Sequence, residues 1–233
     1  AKKTLMGNVQ CYSLQRDKKT LVSIINANES FYESEGINEY LNKVRDYVRS
    51  NYGLTFTIGI GRHYNRIDEC SISFIEALHS LKYKIVKGHD TVIYIDEVRN
   101  ASSKSFDYSI EKEKRLVTIL KSGDIKEANK ILLKILTDNL ERRSMTHEMI
   151  NNFFNSLVST AIRAIYEMQA TITEVFGQEI DIYVEMRRRD LVEDKKSYIY
   201  FIFKSIAIYA SERRKHSKNT MVYEKISAFI EEN

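Results

Sequence analysis

Apolar residues recur along this chain with two different periods, and the change from one to the other divides it. Leu54, Phe56, Ile58 and Ile60 alternate with Thr55, Thr57 and Gly59, the period of a strand buried on one face, so this stretch is expected to be a central strand. It runs into Gly59-Ile60-Gly61-Arg62, then Asn65 as an N-cap with Asp68 three residues on. Ile67, Cys70, Phe74, Ala77, Leu78, Leu81 and Ile85 follow at spacings of three and four, which predicts an amphipathic helix. Upstream, the β-prone runs from Asn8 to Leu14 and from Thr20 to Ala27 flank the polar turn Gln15-Arg16-Asp17-Lys18-Lys19 and read as a hairpin. Ile37, Tyr40, Leu41, Val44, Tyr47 and Val48 then form one helical stripe that stops near Gly53. Downstream, Gly88-His89-Asp90 is a turn and Thr91 to Ile95 a last strand. The order β-β-α-β-α-β is that of an α+β sheet with helices on one face.

After Asp96 the strand period disappears. Asn100 to Ser105 is polar, which sets a first domain over residues 1–100, a linker over 101–106 and an all-α domain over 107–233. In that second part Ile110 to Lys121 closes at Gly123, and Asp124 caps a helix with Ile125, Ala128, Leu132, Ile135 and Leu136 inside. A helix from Met145 to Met168 carries Ile150, Phe153, Phe154, Leu157, Val158, Ala161, Ile162 and Ile165, a stripe wide enough for the core helix of a bundle. Thr171 to Gly177 breaks the pattern. Further helices are predicted from Glu179 to Leu191, Lys195 to Lys215 and Met221 to Glu232.

The strand ending Thr57-Ile58-Gly59-Ile60-Gly61-Arg62, the short polar loop, and the helix with Ser73, Phe74 and Glu76-Ala77-Leu78 together resemble a degenerate GGDEF-like domain of the ferredoxin-like palm type. Such domains sit between the sensor and the DNA-binding part of certain AraC/XylS-family bacterial transcription regulators. The stretch from Leu120 to Leu136 is similar to the helical segment that follows in those regulators. Glu224 to Asn233 resembles the first helix leading into an AraC-type double helix-turn-helix. The resemblance implies the fold and argues against cyclase activity. Where an active GGDEF domain has its glycine pair and acidic residues, this chain has Asp17-Lys18-Lys19-Thr20, which supplies neither close backbone approach to a phosphate nor a carboxylate pair for magnesium. The family's opening strand and helix are also expected ahead of the hairpin, where only Ala1 to Gly7 stand, so the first domain reads as N-terminally incomplete and the groove-reading helices as lying beyond residue 233.

Composition changes this picture little. At 233 residues with 43% hydrophobic and 29% charged residues, the chain is long enough to bury a core and reads as globular. A net charge of +4 without a dense basic stripe does not by itself argue for nucleic-acid binding. Cys11 and Cys70 have no paired spacing, which fits a reducing compartment, and the apolar run from Tyr198 to Ala210 is too short to span a bilayer. The expected location is the cytoplasm, or the cytoplasmic part of a membrane-anchored regulator.

Gly59-Ile60-Gly61-Arg62 has two readings, a phosphate cradle or a tight strand exit, and the missing third glycine of GxGxxG favours the second. His63, His79, His89, His147 and His216 are scattered without HxxxH or HExxH spacing, so surface or core positions outweigh zinc ligation. Arg187-Arg188-Arg189 and Arg213-Arg214-Lys215-His216 are read as solvated helix ends before DNA-phosphate contacts. Tyr40, Tyr47 and Tyr209 fall on apolar stripes and are assigned to the core. No catalytic, cofactor-binding or metal-binding residue is assigned. The expected function is a non-enzymatic signal-relay and dimerisation region of an AraC-family regulator. It would act as a homodimer below an upstream sensor domain and contact DNA only through an absent helix-turn-helix. The alternative is a small-molecule sensor that binds a ligand in the degenerate nucleotide cleft.

Overall fold

The computed structural model describes residues 2–5, 9–28, 31–32, 36–99, 105–141 and 145–231, with side chains over 9–28, 31–32, 36–98, 105–141 and 145–216. The chain divides into two compact units, residues 1–98 and 99–233. Most of the stretch expected as a linker, 101–106, lies outside the described residues.

The first unit opens with a three-stranded antiparallel meander in the order β1 (Lys2–Leu5), β2 (Val9–Asp17), β3 (Thr20–Asn26). The hairpin turn is shorter than its polar sequence suggests. Gln15, Arg16 and Asp17 belong to β2, which bulges between Gln15 and Asp17, and only Lys18 and Lys19 form the turn. The Asp17 carboxylate accepts the Lys19 amide at 2.8 Å, and this bond holds its pKa below the usual carboxylate range. Helix α1 (Gly36–Tyr52) buries Ile37 and Leu41 and ends at Gly53, whose φ of 64° is left-handed. Tyr47 departs from its core assignment: it is 60% exposed and meets Tyr52 edge-on at 6.4 Å.

The expected central strand is reduced to β4 (Ile58–Ile60), which pairs in parallel with β5 (Val92–Tyr94). Leu54, at the start of the alternating run, is 63% exposed; the period is that of a strand, but residues 54–57 are assigned to no strand. The unit therefore has two small sheets rather than one. Asn65 does not cap the next helix. A 3-10 turn at Ile67–Glu69 precedes α2 (Cys70–Lys82), and neither start has a side-chain cap. After α2 come α3 (Lys84–Lys87), the Gly88–Asp90 turn, β5 and a helix the strand reading missed, α4 (Ile95–Arg99). Ile93, Ile95 and Val98 form a small core against Tyr83. Asp90 takes a left-handed φ of 57° and ties α1 to this turn through ion pairs with Arg45 and Arg49, while Tyr94 Oη donates to Asn38 at 2.5 Å.

The second unit is all helix among its described residues: α5 (Ile110–Ser122), α6 (Ile125–Leu140), α7 (His147–Glu167), α8 (Ile172–Phe176), α9 (Ile182–Arg188) and α10 (Val192–Glu231). Its starts follow local chemistry. Ser109, Asp124, Thr146, Thr171 and Asp181 each accept a backbone amide one turn in, satisfying donors the helix cannot satisfy itself. The break expected over Thr171–Gly177 is instead α8, held by a reciprocal capping box between Thr171 and Glu174. The two helices expected after Lys195 are one: residues 216–221 contain neither glycine nor proline, so polar composition alone does not interrupt α10. On α7, Phe153, Phe154, Leu157, Val158, Ala161 and Ile165 are fully buried. Between α5 and α6, a Cβ on Gly123 (φ 68°) would lie 2.6 Å from the Ser211 backbone nitrogen, so this corner and α10 touch backbone to backbone. Among the described residues no helix is long and apolar enough to cross a membrane.

Candidate functional site

The turn from Gly59 to Arg62 is the place where sequence left a choice between anion binding and packing. Its glycines meet helix α2. A Cβ on Gly59 would lie 2.3 Å from the Ala77 carbonyl, and one on Gly61 would lie 2.0 Å from the Ser73 carbonyl, so only glycine lets strand and helix backbones approach this closely. Two serines of α2 bond to the strand they face. Ser80 Oγ, on a fully buried residue, donates to Ile60 O at 3.1 Å, and Ser73 Oγ donates to Arg62 O at 2.7 Å.

One backbone amide of the turn is engaged from within the chain. Arg62 N–H donates to Glu76 Oε2 at 2.9 Å, and Tyr64 Oη donates to Glu76 Oε1 at 3.2 Å. The Arg62 guanidinium then stands between two carboxylates, 3.7 Å from Glu76 Oε1 and bonded twice to Asp96 Oδ1, at 2.8 and 2.5 Å. The Asp96 hydrogen bonds push the guanidinium pKa further up. The Glu76 carboxylate thus occupies the Arg62 amide, and the Arg62 guanidinium occupies the space between the two acids. From sequence Glu76 enters only as part of the Glu76-Ala77-Leu78 helix motif, and Asp96 is given no role at this turn, because it arrives from 34 residues away.

The other sequence candidates disperse. His63 stacks on Tyr32 at 5.3 Å, His147 lies 3.1 Å from the Asn151 amide nitrogen, and His79 and His89 are exposed. Among the described residues no group of three or more His, Cys, Asp or Glu side chains converges. Cys11 and Cys70 are free thiols.

The basic clusters are used inside the helical unit. Arg213 donates to Met168 O and Arg214 to Ser122 O, the latter at 2.6 Å, so each guanidinium meets a carbonyl at or just past the C-terminal end of a helix, where such groups lack intrahelical partners. Arg189 lies 3.7 Å over the Tyr198 ring and pairs, like Arg188, with Glu185. Arg187 stays exposed.

Lys195 and Asn139 are among the buried polar residues that escaped sequence reasoning. Lys195 is 3% exposed and its Nζ donates to Met186 O at 2.9 Å, near the end of α9; burial lowers its pKa. Asn139 is fully buried, accepts the Asp107 amide at 2.6 Å and donates to Asp107 O at 3.1 Å, which fastens the segment before α5 to α6. An open groove of about 680 Å³ runs beside α7, lined by Ser159, Arg163, Tyr166 and Tyr183 among others. Two of its polar groups are matched within the chain: Ser159 to Tyr183 at 2.7 Å and Arg163 to Glu113 at 3.1 Å. No protein-family model, curated protein or solved structure matches this chain.

Proposed function

We propose that this chain is a non-enzymatic relay and dimerisation region of an AraC-type transcription regulator, with a reduced GGDEF-like first unit and a helical unit that carries the signal onward. In this reading its partners are a second copy of itself and an upstream sensor, and DNA contact falls to a helix-turn-helix outside residues 1–233. The observation that supports the non-enzymatic part is the Glu76–Arg62–Asp96 cluster. Nucleotidyl transfer needs backbone donors and cations free to take phosphate charge, whereas here Arg62 N–H is held by Glu76 and the two carboxylates hold a guanidinium. The same occupancy removes support from the ligand-sensor alternative at this turn.

Incubation with GTP and magnesium is expected to yield no cyclic dinucleotide above a no-enzyme control, and its appearance would overturn the reading. The relay part is tested separately. Fused to a DNA-binding domain that represses only as a dimer, the chain should restore repression at an operator with two half-sites; a folded, expressed fusion that fails to repress removes dimerisation from the proposal.

A further inference from the structure

Strand β3 ends the meander of the first unit. β2 pairs with its inner edge, and among the described residues no strand pairs with its outer one. Such an edge presents amides and carbonyls ready to accept another strand, and soluble proteins usually guard it with charge, proline or a bulge. β3 has none of these. Thr20 to Asn26 contains no charged residue and no proline, and the bulge of the hairpin lies in β2. The opposite edge strand, β1, contains Lys2 and Lys3. One end of the β3 edge is engaged, because Tyr32 Oη donates to Ile25 O at 2.6 Å; Thr20 to Ile24 have no such cover in the described contacts.

Part of the sheet face beside this edge is apolar. Register pairs Tyr12 with Ile24 and Leu14 with Val22, which puts these four side chains on one face. Leu14 is 55%, Ile24 42% and Tyr12 41% exposed, whereas Val9 of the other face is buried.

We infer that β3 is where two copies of this chain join, edge to edge and antiparallel about a two-fold axis, making one six-stranded sheet. This rests on the dimerisation reading above and gives it a surface. The argument for a second copy is charge. A two-fold contact brings residues near the axis close to their own counterparts, so a charge in the middle of an edge strand repels itself, and β3 is the uncharged strand of the three. With the axis at Val22, the uncovered residues Thr20 to Ile24 pair with one another, and Lys18 and Lys19 of one copy run beside the partner's Asn26 and Ile25, away from the partner's lysines. A parallel join would place the two lysine turns side by side. The antiparallel join also makes the Tyr12, Leu14, Val22 and Ile24 cluster continuous across both copies.

Sedimentation equilibrium of the full chain tests this with Leu21→Lys and Ser23→Lys, both at exposed positions where a monomer accommodates lysine. Ile110→Lys, at a 68% exposed helical site, serves as the control. The wild type and the control should dimerise, and each β3 variant should weaken the dimer at least tenfold. In the wild type, hydrogen exchange at amides 20–24 should slow as concentration rises, a readout that needs no variant. Dimers of unchanged strength in both lysine variants, with exchange at β3 independent of concentration, overturn the edge while leaving dimerisation standing. A wild-type mass that stays monomeric up to about 100 µM, which excludes an interface of ordinary affinity, overturns both.

Discussion

The two units are stabilised in different ways. Of the twelve largest fully buried side chains among the described residues, Ile93 alone belongs to the first unit; the other eleven, from Leu116 to Phe203, are in the helices. The helical unit rests on apolar burial, with polar groups placed at helix ends as caps. The first unit has a small apolar core and compensates with specific polar ties: Glu76 to Arg62, Arg62 to Asp96, Arg45 and Arg49 to Asp90, Ser80 to Ile60. Polar ties fix geometry while contributing modestly to net stability, whereas apolar burial contributes most of the free energy with little direction. The difference teaches that the first unit depends on a few close approaches and the second on a volume filled.

The largest expected effect breaks the second unit. Phe153→Ala removes a fully buried ring that packs on Phe106, Tyr108 and Phe154, and costs about 3–5 kcal/mol. Urea unfolding followed by far-UV circular dichroism measures it, and hydrogen exchange should rise in α5 to α10 with the first unit unchanged. Gly61→Ala is the counterpart in the first unit. Its Cβ meets a backbone carbonyl that has no rotamer to yield, so strand and helix must separate at a cost of about 1–3 kcal/mol. Exchange at Ile58 to Ile60 and along α2 should accelerate, and no change there would mean that the close approach contributes nothing.

Asn139→Ala sharpens the contrast, because it tests a polar tie inside the apolar unit. It removes the Asn139 bonds to both the amide and the carbonyl of Asp107, a loss of about 1–3 kcal/mol where such groups stay buried, and should free residues 105–109 first in limited proteolysis. The smallest effect concerns pH. Lys195 binds its proton less tightly folded than unfolded, because burial lowers its pKa from 10.5. Between the lowered value and 10.5 the unfolded chain holds more protons, so this group's contribution to stability rises with pH and is lost as pH falls through the folded value. Relative to Lys195→Met, the wild type should gain stability across that window, and a difference independent of pH would show Lys195 to be solvated.

Sequence carried the helices well because their signals are local. Ser109, Asp124 and Gly123 set the bounds of α5 and the start of α6 through contacts with neighbours a turn away, and the stripe on α7 gave the buried face of the core helix. It carried the sheets poorly. The alternation from Leu54 to Ile60 states a preference for extended backbone, but whether a strand forms depends on a partner, and β5 offers only three residues. The glycines of the Gly59–Arg62 turn were visible, whereas their reason was not, since Ser73 and Ala77 reach them only through the fold. Lys195 shows the same gap from the other side: a lysine within a charged run is ordinarily solvated, and only the arrival of the Met186 carbonyl explains its burial.

Helix α10 has 40 residues and so measures about 60 Å. Arg213 and Arg214 grip it at Met168 and Ser122, and Ser211 abuts Gly123, a collar midway along the rod. From the collar onward the helix acts as an indexed shaft. Deleting one residue between His216 and Glu231 would retract its far end by about 1.5 Å and turn it by about 100°. Deleting seven would shorten it by about 10 Å and nearly restore the original facing, because seven residues make close to two full turns. The far end is therefore set by angle more than by distance.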